Sequence, residues 1–161
     1  MGNFTIEASR VVAAPPALVW SVISNAGDYH SVVDTLEHTE IVSGQGHGMT
    51  RHCLDTKGRE WTETCSLWNE GQAFRMTVDI DTYPTSFRAI FKRVEGTWSV
   101  TPAEEGAVIT MRFDGETKLG PVGKAAVAAM GREAVLGGIM DGYESEIQHA
   151  LADHRSQEPS S

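Results

Sequence analysis

The chain has little of several things that would declare a function. Only two cysteines occur in its 161 residues, Cys53 and Cys65, and they form no CxxC pair. That excludes a disulfide scaffold and the common thiolate metal motifs, so both are expected to be reduced thiols. No run of Lys or Arg exists, and 13 basic residues against 22 acidic ones leave a formal charge of −9. Such a chain repels a phosphate backbone, so no nucleic-acid partner is expected. No stretch approaches the roughly 20 apolar residues that cross a bilayer, and the start, MGNFTIEASR, lacks the basic and apolar regions of a secretory signal. Gly2 would suit myristoylation, but Ile6 stands where that signal needs a hydroxyl. A cytoplasmic protein without membrane insertion is expected. His30 and Asp34 share a spacing but lack a third ligand, and Ser, His and Asp sit in no nucleophile elbow, so neither a metal nor another cofactor is expected.

What remains is one domain's length, taken as residues 1–152 with a disordered polar tail over 153–161. Its organising stretch runs from Pro121 to Ala152, which opens on a Pro suited to a first helical position and meets no other. Val122, Ala126, Ala129, Leu136, Met140, Tyr143, Ile147 and Leu151 recur at helical spacing, and the pattern predicts one long helix with one side on a core. Gly131, Gly137, Gly138 and Gly142 each cost about 1 kcal/mol in a helix interior. Either they let a ligand or a second backbone approach closely, or they kink the helix around a curved sheet.

Ahead of that helix, Phe4, Ile6 and Ala8 alternate with polar residues as in a half-buried strand, which stops at Pro15-Pro16. Two short helical segments follow, the second over 29–36. Strands are predicted over 37–43, 49–55, 59–68, 73–80, 91–100 and 107–117, with 82–89 irregular between them. Phe74, Met76, Val78 and Ile80 against Arg75, Thr77 and Asp79 give the clearest alternation. The order predicts an α+β protein, with about seven antiparallel strands, two short helices after the first, and a long helix at the end.

That order, and particular residues, resemble the START-like superfamily, also called SRPBCC, in its polyketide cyclase and dehydrase branch. The residues are VAAPPALVW at 12–20, Gly48-Met49-Thr50-Arg51, Gly58, Glu63 with Trp68, and Gly96-Thr97-Trp98-Ser99-Val100. The likeness spans roughly residues 4–152. It implies a helix-grip fold, a curved antiparallel sheet wrapped around the C-terminal helix, with a hydrophobic cavity between them. The implied partner is a hydrophobic or aromatic small molecule, bound by a monomer or homodimer. The implied activity is cyclisation or dehydration of a polyketide-like compound by acid–base chemistry, and the alternative is a non-catalytic carrier or sensor of a lipid or other apolar ligand.

Strand alternation then nominates the site. On the strand from Arg59 to Leu67, Trp61, Cys65 and Leu67 share a face with Glu63. A carboxylate on an apolar face is costly unless hydrogen-bonded, paired or neutralised, which makes Glu63 a functional candidate. A three-residue loop Thr56-Lys57-Gly58 puts Arg51 opposite Glu63, whereas a two-residue turn would bring His52 there and needs positive φ at Lys57 as well. Glu63 is thus either a ligand-contacting acid or half of a buried ion pair. In the cyclase reading it exchanges an α-proton while Arg51 polarises the carbonyl. Phe74, Met76 and Val78 extend the lining, with Tyr83 and Trp98 beside them, and the helix roofs it with Met130, Gly137 and Met140. Leu67 and Leu36 stand where aromatase and cyclase members carry Arg and Tyr, which weakens the implied cyclase chemistry. Glu63 matches a cavity acid that hormone-receptor members use, through water, to contact ligand, which favours binding.

Overall fold

A computed structural model describes residues 2–131 and 133–157, with the side chains of 133 and 134 excepted. Seven strands form one antiparallel sheet: β1 (Asn3–Val12), β2 (Leu36–Ser43), β3 (Thr50–Asp55), β4 (Glu60–Asn69), β5 (Ala73–Val78), β6 (Phe91–Ala103) and β7 (Gly106–Thr117). Their order is β1-β7-β6-β5-β4-β3-β2. After the first strand every neighbour in the sheet is a neighbour in sequence, and β1 closes onto β7 from Asn3↔Glu116 to Val12↔Ala107. Helix α1 (Pro16–Ile23) and a 3-10 segment (Ala26–Ser31) follow β1. The sheet is curved, and with the C-terminal helices it forms the expected helix-grip fold.

Alternation places the core as the sequence suggests. Phe74, Met76 and Val78 of β5, Trp98 and Val100 of β6, and Ile109 and Met111 of β7 are all buried. The β3–β4 hairpin turns through Thr56-Lys57-Gly58 with Gly58 at φ 79°, and among the described residues no non-glycine residue has positive φ. Asp55 fastens that turn, accepting the N–H groups of Lys57 and Arg59 at 2.9 Å and the Arg59 Nε at 2.7 Å. Burial works against its charge, but these donors hold the Asp55 carboxyl below its usual range.

Four expectations are corrected. The terminal helix is not one rod. Helix α3 (Gly120–Met130) ends at Gly131, whose φ of 77° and ψ of 146° no helix contains, and a π turn (Glu133–Gly137) leads into α4 (Gly138–Gln157). Only the second half of the apolar stripe is covered: Leu136, Met140, Tyr143 and Ile147 are buried, while Val122 is 73% exposed and Ala126 and Ala129 face solvent. The α3 residues that turn inward are Gly123 and Val127. Second, α4 runs past Ala152 to Gln157, so part of the expected tail is helical; residues 158–161 lie outside the described residues. Third, the second short helical segment starts earlier, at Ala26, and ends at Ser31. Fourth, the stretch 82–89 carries regular structure, a 3-10 turn (Ile80–Thr82) and helix α2 (Thr85–Arg88).

Candidate functional site

The hairpin register decides what the inner face carries. Arg51 stands opposite Glu63 and Cys53 opposite Trp61, so Arg51 and not His52 meets the acid. On its other side Glu63 faces Val78. Arg51 is 1% exposed and Glu63 9%. Each guanidinium nitrogen is engaged: Nε donates to Glu63 Oε2 at 3.1 Å, Nη2 donates to the same oxygen, and Nη1 donates to the Ala26 carbonyl at 3.0 Å. The second Glu63 oxygen accepts the Trp61 indole N–H at 3.0 Å. Burial opposes the Arg51 charge, yet the adjacent Glu63 raises its pKa further above an already high value. This is a buried ion pair whose lone pairs and protons are largely satisfied, the arrangement in which such pairs persist.

Aromatic rings enclose the pair. The Arg51 guanidinium lies 4.7 Å from the Tyr29 ring centre and 5.8 Å from that of Trp98. Tyr29 meets Trp98 edge-on at 5.3 Å, and Trp98 stacks on Phe74 at 4.9 Å. At the other end Trp61 packs edge-on to Tyr83, which touches Phe87. Burial pushes all three tyrosines, Tyr29, Tyr83 and Tyr143, further above a range already protonated at neutral pH, so each is a neutral phenol with an O–H able to donate. Burial also raises Cys53 and Cys65, which makes both thiols unreactive. The indole N–H of Trp98 is buried without an acceptor in hydrogen-bond geometry. The Tyr143 hydroxyl is the neighbour that interacts with it, which works against the upward shift of that phenol, but the contact falls short of hydrogen-bond geometry.

The nominated lining residues do not all meet. Glu63 and Arg51 form the ion pair with Trp61, Val78 and Tyr83 near it, and Cys65, Phe74, Met76, Trp98 and Met140 lie deeper in the core. Gly137 is buried in the π turn. Leu67 is moved off the inner face by a bulge after Cys65: it pairs with Arg75, and Trp68 pairs with Phe74 in its place. One inserted residue reverses the alternation, which is why strand counting missed Trp68. Met130 ends α3, 60% exposed, and does not roof the others. Gly138 is open to solvent, whereas Gly142 is where a backbone comes close, with Val32 so near that an added Cβ would lie 2.9 Å from its Cα. The neighbour that uses this bare helix surface is therefore the protein itself.

The deep interior is filled. Phe74 and Met76 are 1% exposed and Trp98 2%, which leaves no water-sized space against them. Open space lies to the side, in a cleft of about 210 Å³ between the α1 region and α4 with Tyr29 and Tyr143 in its wall. Among the described residues no group of three or more His, Cys, Asp or Glu is placed to hold a metal, and no helix is long and apolar enough to cross a membrane. The Ala26 carbonyl and the Trp98 N–H were not nominated from sequence, because only the tertiary fold brings them to Arg51 and Tyr143.

Comparison with curated protein sequences gives no match. Among solved structures the chain is similar to the Zhui aromatase/cyclase from Streptomyces, at 18% identity and TM-score 0.70, covering 92% of this chain and 96% of that one. It is similar to norcoclaurine synthase from Thalictrum flavum in complex with dopamine and hydroxybenzaldehyde, at 17% identity and TM-score 0.70, covering 91% and 87%. Ara h 8.0201 matches at 19% identity and TM-score 0.69 over 92% and 99%. At these identities the likeness is one of fold. The sequence itself matches, over residues 3–145, the family described as polyketide cyclase / dehydrase and lipid transport, and the chain belongs to that family.

Proposed function

We propose that the protein binds an aromatic or polyketide-like small molecule between the inner face of its sheet and α4, and that neutral donors in that space meet the ligand's oxygens. The observation that carries this reading is the Trp98 N–H, buried without an acceptor beside Tyr143 and Tyr29. A buried donor left unsatisfied costs about 1–3 kcal/mol, which a ligand carbonyl placed there would recover. The stacked Phe74 and Trp98 rings offer such a ligand a flat aromatic wall. Entry requires displacement, since the interior is packed. The segment suited to move is the break at Gly131 and the π turn after it, where regular helical hydrogen bonding is interrupted next to Leu136 and Met140.

A carrier or sensor role is favoured over turnover by the state of Glu63. Both its oxygens already accept hydrogen bonds, from Arg51 and from Trp61, so proton exchange with a substrate needs that pair to part first. In the cyclase or dehydratase reading Glu63 remains the acid–base group and Arg51 the group that polarises a carbonyl.

The test is calorimetric titration with a hydroxylated anthraquinone, alongside native mass spectrometry for a co-purified small molecule. Trp98→Phe is expected to weaken binding about five- to tenfold, the worth of one hydrogen bond, measured where the variant stays folded, since loss of the orphaned donor offsets only part of the packing lost with the buried indole. Equal affinity in the two proteins would defeat the placement of the ligand oxygen at Trp98. Product formation from a poly-β-ketone, abolished in Glu63→Gln, would move the reading from carrier to enzyme.

A further inference from the structure

On the other side of the 80–88 segment from Trp61 and Glu63 lies a groove of about 470 Å³ that the interior site does not use, within the roughly 300–1,000 Å³ range of small-molecule sites. Tyr83 and Phe87 of that segment turn toward Trp61 and Arg59, while Arg88 and Thr85 turn into the groove. Lys92 and Lys118 complete its wall, so three of the chain's 13 cations surround one depression on a molecule of net charge −9. A single acid, Asp81, shares the lining.

Backbone geometry, not chance rotamers, brings these charges together. The Arg88 N–H donates to the Pro84 carbonyl at 2.9 Å, and the Lys118 N–H donates to the Ile90 carbonyl at 2.7 Å, which joins the end of β7 to the start of β6. Lys92 is balanced by Glu116 at 3.2 Å. Among the described residues Arg88 and Lys118 have no carboxylate partner. Like charges held in one concavity repel each other unless an anion lies between them. The rest of the lining is apolar, from Ile80, Ala89 and Phe91, and Ile90, Leu119 and Val122 stand exposed on the adjoining chain segments.

We propose that this groove binds the anionic head group, phosphate or carboxylate, of an amphiphile whose apolar part lies along Ile80, Ala89 and Phe91. Charge selects the head group, and the apolar floor selects against a bare inorganic ion. The site is separate from the interior one and stands whether or not that interior takes a ligand.

Calorimetric titration with decyl phosphate, with inorganic phosphate and with phosphatidylcholine vesicles lacking or containing phosphatidic acid tests it. Decyl phosphate is expected to bind saturably, far more tightly than inorganic phosphate, and more weakly as salt is added. The double variant Arg88→Glu/Lys118→Glu is expected to lose about tenfold or more in affinity, and Lys57→Glu, in an exposed turn outside the groove lining, to lose far less. The gentler Arg88→Gln/Lys118→Gln pair gives the same direction should charge reversal disturb the fold. Vesicle binding that needs phosphatidic acid and fails in the double variant assigns the head group to a bilayer surface. Decyl phosphate binding without vesicle association assigns it to a free amphiphile. The proposal is overturned if decyl phosphate does not bind, or if its binding ignores the double variant and is lost in Trp98→Phe, which would place it in the interior.

Discussion

Helices α3 and α4 follow one another in the chain, yet the fold holds them by different means. From α4 the fold buries Ile139, Met140, Tyr143 and Ile147, and it packs against α1. Its first turn is pinned to β1 by Arg10, which pairs with Asp141 and reaches Glu144 at 3.5 Å. Helix α3 buries only Gly123 and Val127, and it touches β1 and β7. Close approach at Gly123 replaces side-chain burial there: an added Cβ would lie 2.2 Å from the Thr117 hydroxyl oxygen. With roughly 25 cal/mol gained per Å² of apolar surface buried, four large side chains outweigh one valine by several kcal/mol. Helix α4 therefore belongs to the core, and α3 is a weakly attached arm beside the break at Gly131, which should open at a lower free energy than α4.

The largest expected effect tests that contrast directly. Ile147 is fully buried, and Ile147→Ala should destabilise the protein by about 2–5 kcal/mol through lost burial and the cavity left behind. Val122→Ala on exposed α3 should stay within about 0.5 kcal/mol. Urea melts of both variants measure the difference, and comparable losses would mean that α3 is as much a part of the core as α4.

A second effect uses the tyrosines. Burial raises the folded-state pKa of Tyr29 and Tyr143 above the ordinary value of 10.0. A raised pKa means that the folded state favours the protonated phenol, so this stabilisation is fully present below the unfolded pKa and declines as pH rises beyond it. Above about pH 10 each of the two should remove about 1.4 kcal/mol per pH unit. Tyr143 lies on α4 and α3 carries no tyrosine, so Tyr143→Phe should flatten the alkaline limb of a stability–pH curve by about that slope. An unchanged limb would show that the Tyr143 phenol ionises as freely in the folded protein as in the unfolded chain.

How far the sequence could show this contrast depends on the kind of information involved. Alternation in β5 located buried Phe74, Met76 and Val78 because a period of two is local. The turn around Thr56-Lys57-Gly58 narrowed the partner of Glu63 to Arg51 or His52 for the same reason, and the observed register makes it Arg51. Helical spacing likewise announced apolar stripes on both sides of Gly131, but spacing says nothing about what covers a stripe, so Val122 and Met130 looked as buried as Met140. The bulge after Cys65, which exchanges Leu67 for Trp68, depends on pairing with β5 and leaves no mark in β4 itself. The carbonyl that takes an Arg51 proton comes from Ala26, in a segment that only the tertiary fold brings near.

The smallest effect separates two glycines that flank the junction. Gly138 begins α4 in a helical conformation with nothing within 4 Å of a built Cβ. Replacing it by Ala costs no contact and reduces the freedom of the unfolded chain, so Gly138→Ala should raise stability by about 0.5–1 kcal/mol. Gly131 also has open space around it, but its φ of 77° is a conformation that side-chain-bearing residues resist, so Gly131→Ala should cost about 1–2 kcal/mol or straighten the junction. The two substitutions add the same methyl group a short distance apart, so opposite signs in a thermal melt isolate backbone conformation from packing. If Gly131→Ala were stabilising, the break would be a weak preference, and α3 and α4 would be two parts of one helix after all. Amide exchange on α3 in that variant would then slow toward the rate of α4, and the arm would no longer open before the core helix.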